Sequence, residues 1–392
     1  MRRRRTMTLI GVTVVLSIAL AAAIEGAPTA TRGPLSALRA TLARPGAPDV
    51  VVEGNRLVDT RTGEEFVPRG VNVPGFEYAC AQGWGSSEHA GWLSAIEVGR
   101  ELRAWNVNTV RIPLNLDCWL GSRDAPVNGG LLTRNRWAYR AAVRTFVDSL
   151  RGAGLVTILD LHSRKRRTAS DFGMQAALDA DGLTFWRSVA SEYKDVRGVM
   201  FDVLNEPHSR YDEARGAWAF DLTWECWRAG GCAAPMETDR NPSLSGETYP
   251  VVGMARAVQV IRSTGARQPI VLGGLDWAND LRGWLSHRPD DDQLVASAHL
   301  YDFKRCSTAA CFDDELAPVA AAVPLLIGEV GEADGDTAFL TSVIDWADAH
   351  EVGYLAWAWL DNPEDQWSLL TADGRPAQPV GQLLKDRLAA YD

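Results

Sequence analysis

A chain of 392 residues, 46% of them hydrophobic, can bury one large core, which excludes a disordered chain. Its formal net charge of -10 argues against a nucleic-acid partner and suits a soluble protein acting on a neutral ligand. Tryptophan is frequent, at 15 residues, and flat aromatic faces both fill cores and stack on sugar rings.

The chain starts with a basic stretch, Arg2 to Arg5, followed by an apolar run from Met7 to Ile24. Residues 1–24 therefore read as a secretory signal peptide, or as a signal anchor if cleavage does not occur. The expected location is extracellular, with membrane association only in the anchored case. Residues 25–48, rich in Ala, Pro, Gly and Thr, read as a flexible linker with a short helix from Ser36 to Ala43. A single domain is expected over 49–392.

That domain opens on a β-hairpin, Val50–Val52 and Arg56–Val58 around Gly54-Asn55. Eight short apolar runs follow: Phe66–Asn72, Thr109–Leu114, Val156–His162, Val199–Asn205, Pro269–Gly273, Leu294–Tyr301, Pro324–Glu329 and Gly353–Trp359. They are rich in Val, Ile and Leu, as strands buried on both faces are. Amphipathic stretches alternate with them: Ile96–Trp105, Ala138–Ala153, Leu183–Tyr193, Tyr249–Thr264 and Thr337–His350. The pattern predicts an α/β fold, a single (β/α)8 TIM barrel preceded by the hairpin. A doubly wound sheet would bring a glycine-rich phosphate turn after its first strand, and no GxGxxG or GxxxxGK[ST] occurs.

The six cysteines suit an exported chain with disulfides. Cys226/Cys232 and Cys306/Cys311 are close pairs within loop-like stretches, which leaves Cys80 for Cys118. No CxxC doublet and no HExxH pair is present, so no metal site is expected.

In a barrel the chemistry sits at the C-terminal ends of the strands. The runs end on Arg111, Asp160-Leu161-His162, Asn205-Glu206-Pro207-His208, His299-Leu300-Tyr301, Glu329, and Trp357 with Trp359. Two strand-end carboxylates, Glu206 and Glu329, suggest glycoside cleavage, with one carboxyl protonating the leaving oxygen and the other attacking the anomeric carbon. The alternatives are weaker. A Schiff-base enzyme needs a strand-end lysine, and a non-catalytic carbohydrate-binding barrel needs neither glutamate.

The set Asn205-Glu206-Pro207, Arg111, His162, His299-x-Tyr301, Glu329 and Trp357 resembles glycoside hydrolase family 5, the cellulase-containing family, from about Val50 to the C-terminus. Gly75–Gly83, Asp117–Gly121 and Trp224–Arg228 with Cys232 resemble its bacterial secreted cellulase-like branch. The resemblance implies a retaining mechanism without a cofactor, with Glu206 as acid/base and Glu329 as nucleophile. It implies that Asn205 binds the sugar 2-hydroxyl, that Arg111 and Tyr301 hold the nucleophile, and that His162 and His299 contact the reactive sugar or the acid/base. Trp357 is expected to form the sugar platform, with Trp359 as the competing choice. Trp277, after the fifth strand, is the best candidate for an outer sugar site. Trp84, Trp119 and Trp367 are expected to pack rather than bind, and His208 is open between substrate contact and loop support. The expected partner is a polysaccharide or oligosaccharide, cut by a monomer. The leading activity is an endo-β-1,4-glucanase, with β-mannanase or exo-β-glycosidase as alternatives on the same scaffold. The basic run Arg164–Arg167 departs from the family pattern and raises the question of an acidic or substituted glycan.

Overall fold

A computed structural model of the chain describes residues 46–83, 85–87, 92–122, 136–165, 172–213, 215–235 and 247–391. The expected signal segment, nearly all of the linker with its short helix, Trp84 and the pair Arg166–Arg167 lie outside the described residues.

Eight strands form the barrel: β1 (Arg69–Asn72), β2 (Thr109–Asn115), β3 (Val156–Lys165), β4 (Val199–Asp202), β5 (Ile270–Gly273), β6 (Leu294–Tyr301), β7 (Leu325–Gly331) and β8 (Gly353–Ala356). Each pairs in parallel with the next, and β8 pairs with β1, so the sheet closes without an edge. All eight expected runs are strands. Their inward residues Val156, Ile158, Met200, Val271, Val295, Leu326 and Leu355 form one apolar cluster. Val50 and Leu57 of the N-terminal hairpin (Val50–Glu53 and Arg56–Asp59) join that cluster and close the lower mouth of the barrel. Gly54, at φ 65°, makes the hairpin's turn, a conformation open to glycine at no steric cost.

The outer helices follow their periodicity. In Arg136–Gly152 the buried residues are Tyr139, Val143, Phe146, Val147 and Leu150, one stripe at helical spacing. Helix Ala180–Tyr193 starts at Asp179, whose side chain accepts from Gly182 N at 2.9 Å. One boundary needs correcting. The stretch expected as a helix from Tyr249 is a strand over Thr248–Val252, paired with Gly230–Pro235, and the helix runs Met254–Ser263. Pro250 and the β-branched pair Val251-Val252 disfavour helix there, and Gly253 provides the break.

Three disulfides join Cys80 to Cys118, Cys226 to Cys232 and Cys306 to Cys311. The first ties the loop after β1 to the loop after β2, and so braces the upper rim. Among the described residues no helix is long and apolar enough to cross a membrane.

Candidate active site

The site grows from the strand ends inward, and Arg111 is its centre. It sits on β2 with no exposed surface. Its Nε donates to Asp202 Oδ2 at 2.9 Å, one terminal nitrogen to Asn72 Oδ1 at 3.1 Å and Glu329 Oε1 at 2.8 Å, and the other to Asn205 Oδ1 at 2.7 Å. That second nitrogen also lies 3.1 Å from Asp160 Oδ2. Burial alone would lower the pKa of Arg111, but Asp160, Asp202 and Glu329 outweigh it and hold the guanidinium charged.

Glu329 is gripped from two sides. Arg111 holds Oε1, and the Tyr301 hydroxyl donates to Oε2 at 2.7 Å. Burial, then the charges of Glu329 and Glu206, push the Tyr301 phenol well up, so it stays a donor. The inward aim of Glu329 depends on a local irregularity. Leu326 faces the barrel interior, so strict alternation would turn Glu329 outward. Along the β6–β7 pairing, however, Ala298 faces Ile327 and His299 faces Glu329, which leaves Gly328 as an extra residue. This bulge turns Glu329 in and Val330 out. A Cβ at position 328 would lie 2.5 Å from Ser297 Oγ, so the bulge has room for glycine alone.

Glu206 stands on the loop leaving β4. His299 Nδ1 lies 3.1 Å from Glu206 Oε1 and 3.5 Å from Glu329 Oε2, bridging the two carboxyls. Burial lowers the His299 pKa to about 3, which keeps the ring neutral. A carboxyl oxygen of Glu206, a ring nitrogen of His299 and a carboxyl oxygen of Glu329 all fall within 4.8 Å of one another. The Asn205 amide is oriented by Arg111: its oxygen is held, so its NH2 points to the cleft beside Met174. His162 donates from Nδ1 to Asp160 Oδ2 at 2.8 Å, which leaves its other nitrogen as an acceptor, and its ring stacks on Trp357 at 5.4 Å.

The cleft above has a volume of about 350 Å³ and is lined by His162, Met174, Asn205, Glu206, Trp277, Tyr301, Phe303, Lys304, Glu329, Trp357 and Trp367. Its aromatic walls and a few convergent polar groups are the make-up of a ligand site.

A sequence profile of the cellulase family, glycosyl hydrolase family 5, matches residues 60–363. The chain belongs to glycosyl hydrolase family 5. Endoglucanase A of Butyrivibrio fibrisolvens is 23% identical over 340 residues, 83% of this chain and 63% of that protein. A manganese-dependent endoglucanase of Phanerodontia chrysosporium is 23% identical over 210 residues, 54% of this chain and 44% of that protein. The chain thus spans less than two thirds of these relatives' own length. Among solved structures, a β-glucanase of Saccharophagus degradans superposes with a TM-score of 0.64 at 17% identity, covering 88% of this chain and 94% of that one. The same protein has also been crystallised with cellotetraose. The catalytic domain of a Thermobifida fusca endoglucanase gives a TM-score of 0.58 at 15% identity, covering 87% and 97%. These likenesses support the barrel.

Of the expected site residues of this family 5 chain, Glu206, Glu329, His162, Asn205, Tyr301, Trp277 and Trp357 line the cleft, and Arg111 and His299 are buried beneath it against the glutamates. Between the two candidate platforms the structure selects a side: Trp357 lines the cleft, whereas Trp359 is buried against Trp105 at 4.8 Å. Trp119 is fully buried, and Trp367 lines the cleft rather than packing away from it. His208 is buried, stacked on Trp277 at 3.6 Å, with Nδ1 2.6 Å from the Glu206 carbonyl, so it supports the loop that carries Glu206. Arg164 is not a rim cation. It is buried among Asp117, Asp179 and Asp181, which draw it off the solvent face expected for a basic run. Sequence reasoning missed Asn72, Asp202, Phe303 and Lys304, and gave Asp160, named at its strand end, no role. For Asp160 the signal was available, since it lies two residues before His162 on the same strand face.

The triangle of Glu206, His299 and Glu329 has the dimensions of a cation site, but Arg111, Tyr301 and His299 already serve its oxygens. Glu332, Asp334 and Asp336 also cluster, and there Glu332 accepts from Phe339 N and Leu340 N, capping the helix Ala338–Ala349.

Proposed function

We propose that the chain is a retaining endo-β-1,4-glucanase that cleaves β-glucans by double displacement. The observation that carries this is the facing pair Glu206 and Glu329, with oxygens bridged by one imidazole inside a 4.8 Å triangle. A retaining pair works at roughly 5–5.5 Å, whereas inversion needs a wider gap for water. Glu329, its negative charge held by Arg111 and Tyr301, attacks the anomeric carbon. Glu206 gives its proton to the leaving oxygen, then takes one from the water that releases the glycosyl-enzyme. Asn205 presents its NH2 to the 2-hydroxyl, and Trp357, backed by His162, forms the floor of that subsite. Belonging to the cellulase family and likeness to endoglucanases support a β-glucan as substrate. Three disulfides support export, since such bonds persist in oxidising compartments.

The test is a reducing-end assay on barley β-glucan, carboxymethyl cellulose, mannan and xylan. Activity on the glucans is expected, falling at least about 10⁴-fold in Glu329→Ala. Azide should rescue that variant and give a glycosyl azide of inverted configuration. Glu206→Ala should slow substrates with poor leaving groups most. Mannan as the best substrate, or an active Glu329→Ala, would overturn the reading.

A further inference from the structure

Beneath the two glutamates lies a second pair of carboxyls. Asp160 on β3 and Asp202 on β4 are register partners on neighbouring strands. Both point into the barrel, one step above Ile158 and Met200 of the interior cluster, and their side chains are 0% and 1% exposed. The charged and titratable groups facing them are Arg111 from β2, His162 from β3, Glu206 from the β4 loop and Glu329 from β7, with His299 and Tyr301 of β6 on the far side of Glu329. One guanidinium therefore faces Asp160, Asp202 and Glu329 with no water-exposed surface to share. Three buried anions on one cation leave two uncompensated charges, and a buried group in that position takes up a proton instead.

The donors decide which one. Glu329 receives Arg111 and Tyr301, and Asp160 Oδ2 receives His162 and also lies in an ion pair 3.1 Å from Arg111. Asp202 Oδ2 receives Arg111 alone. The remaining oxygens, Asp160 Oδ1 and Asp202 Oδ1, have no hydrogen-bond partner among the described residues. Two buried acceptors on adjacent strands, each without a donor, make ionisation of both carboxyls costly, and one proton taken up by the pair relieves it.

We propose that Asp202 is a neutral carboxylic acid beside ionised Asp160, and that this buried proton leaves the Arg111 charge to hold Glu329. This rests on the reading of Glu329 as nucleophile. Burial, with the neighbouring carboxylates, raises Asp202 well above the ordinary range, and burial raises Asp160 to about 7. Asp202 is then a positioning residue. Were it ionised, it would compete with Glu329 for the guanidinium. Asp160 also acts on His162, because its charge fixes the ring's tautomer so that the nitrogen facing the cleft accepts.

The experiment is infrared spectroscopy of the Glu206→Gln protein at neutral pH, which removes the proton assigned to the acid/base. A carboxylic-acid band that shifts in D2O is expected, and it should vanish in Glu206→Gln/Asp202→Asn. A spectrum without that band, or a band that survives the second substitution, overturns the proposal. If the double variant does not fold, absence of the band in Glu206→Gln still overturns the proposal, and the kinetic order below assigns a band that is present. Kinetics give an independent arm. Asparagine at 202 reproduces a neutral side chain, so Asp160→Asn should lower kcat at least tenfold more than Asp202→Asn, and the reverse order overturns the proposal. Inactivity of the unmodified chain on every glucan would instead sink the functional reading and leave the infrared result standing.

Discussion

The floor and the Trp277 end of the cleft are built by opposite means. On the floor, Asn72, Arg111, Asp160, Asp202, His299, Tyr301 and Glu329 come from strands or their last residues, and each is fixed by direct hydrogen bonds or ion pairs. At the other end, Trp277 rides on a short turn in which Asp276, Trp277 and Ala278 all have left-handed backbone, at φ 53°, 61° and 58°. Such a conformation costs roughly 1–2 kcal/mol per residue. It is held by Trp277 N donating to the Pro207 carbonyl at 3.0 Å and by the stacked ring of His208. Lys304 and Arg210 place their charges 5.1 and 5.5 Å from the same indole. The network around Arg111 and Glu329 thus sits on the part of the fold that the sheet dictates, whereas Glu206 and Trp277 stand on loops beyond it.

The contrast can be broken most severely at Arg111. Lysine cannot serve five partners from one ammonium, so Arg111→Lys should lose about 3–5 kcal/mol of stability along with most activity, measured by denaturant unfolding and kcat. A stable, active variant would mean that the floor is not a single network. A smaller effect comes from acid. The folded His299 ring has a pKa of about 3, and an unfolded imidazole titrates near 6.5. The unfolded chain therefore binds the extra proton between those values. The stability is complete above about pH 6.5 and falls as pH drops, by about 2 kcal/mol at pH 5. A series of Tm values against pH, with His299→Gln as the variant lacking that slope, checks it. The smallest effect belongs to the other end. Trp277→Ala should raise KM for long cello-oligosaccharides about tenfold, near 1.4 kcal/mol, with kcat on a short aryl glycoside little changed. A collapse of kcat on the short substrate would show that the two ends are not separable.

Much of the floor can be read from the amino-acid order, because strands buried on both faces appear as apolar runs and the polar residue that ends each run stands out. Glu206, Glu329, Arg111, His162, His299 and Tyr301 are visible in this way. Asp160 and Asp202 are harder, because they lie inside apolar runs where one carboxylate looks like an interruption, and only cross-strand register shows that they are neighbours. Arg164 misleads for the same reason: its partners Asp117, Asp179 and Asp181 come from elsewhere in the chain. The choice between Trp357 and Trp359 turns on strand phase beyond Ala356, which spacing alone leaves open. Phe303 and Lys304 carry no pattern at all, since a loop has no period to read.

The extra residue at Gly328 makes the aim of Glu329 a matter of parity. Counting by twos from Leu326 assigns Glu329 to the helix-facing side, and one inserted position reverses the count just before the chemistry begins. An engineer who copied the side chains of this strand onto a regular one would keep every letter that matters and aim the carboxylate at the wrong layer. What has to be inherited is an odd number.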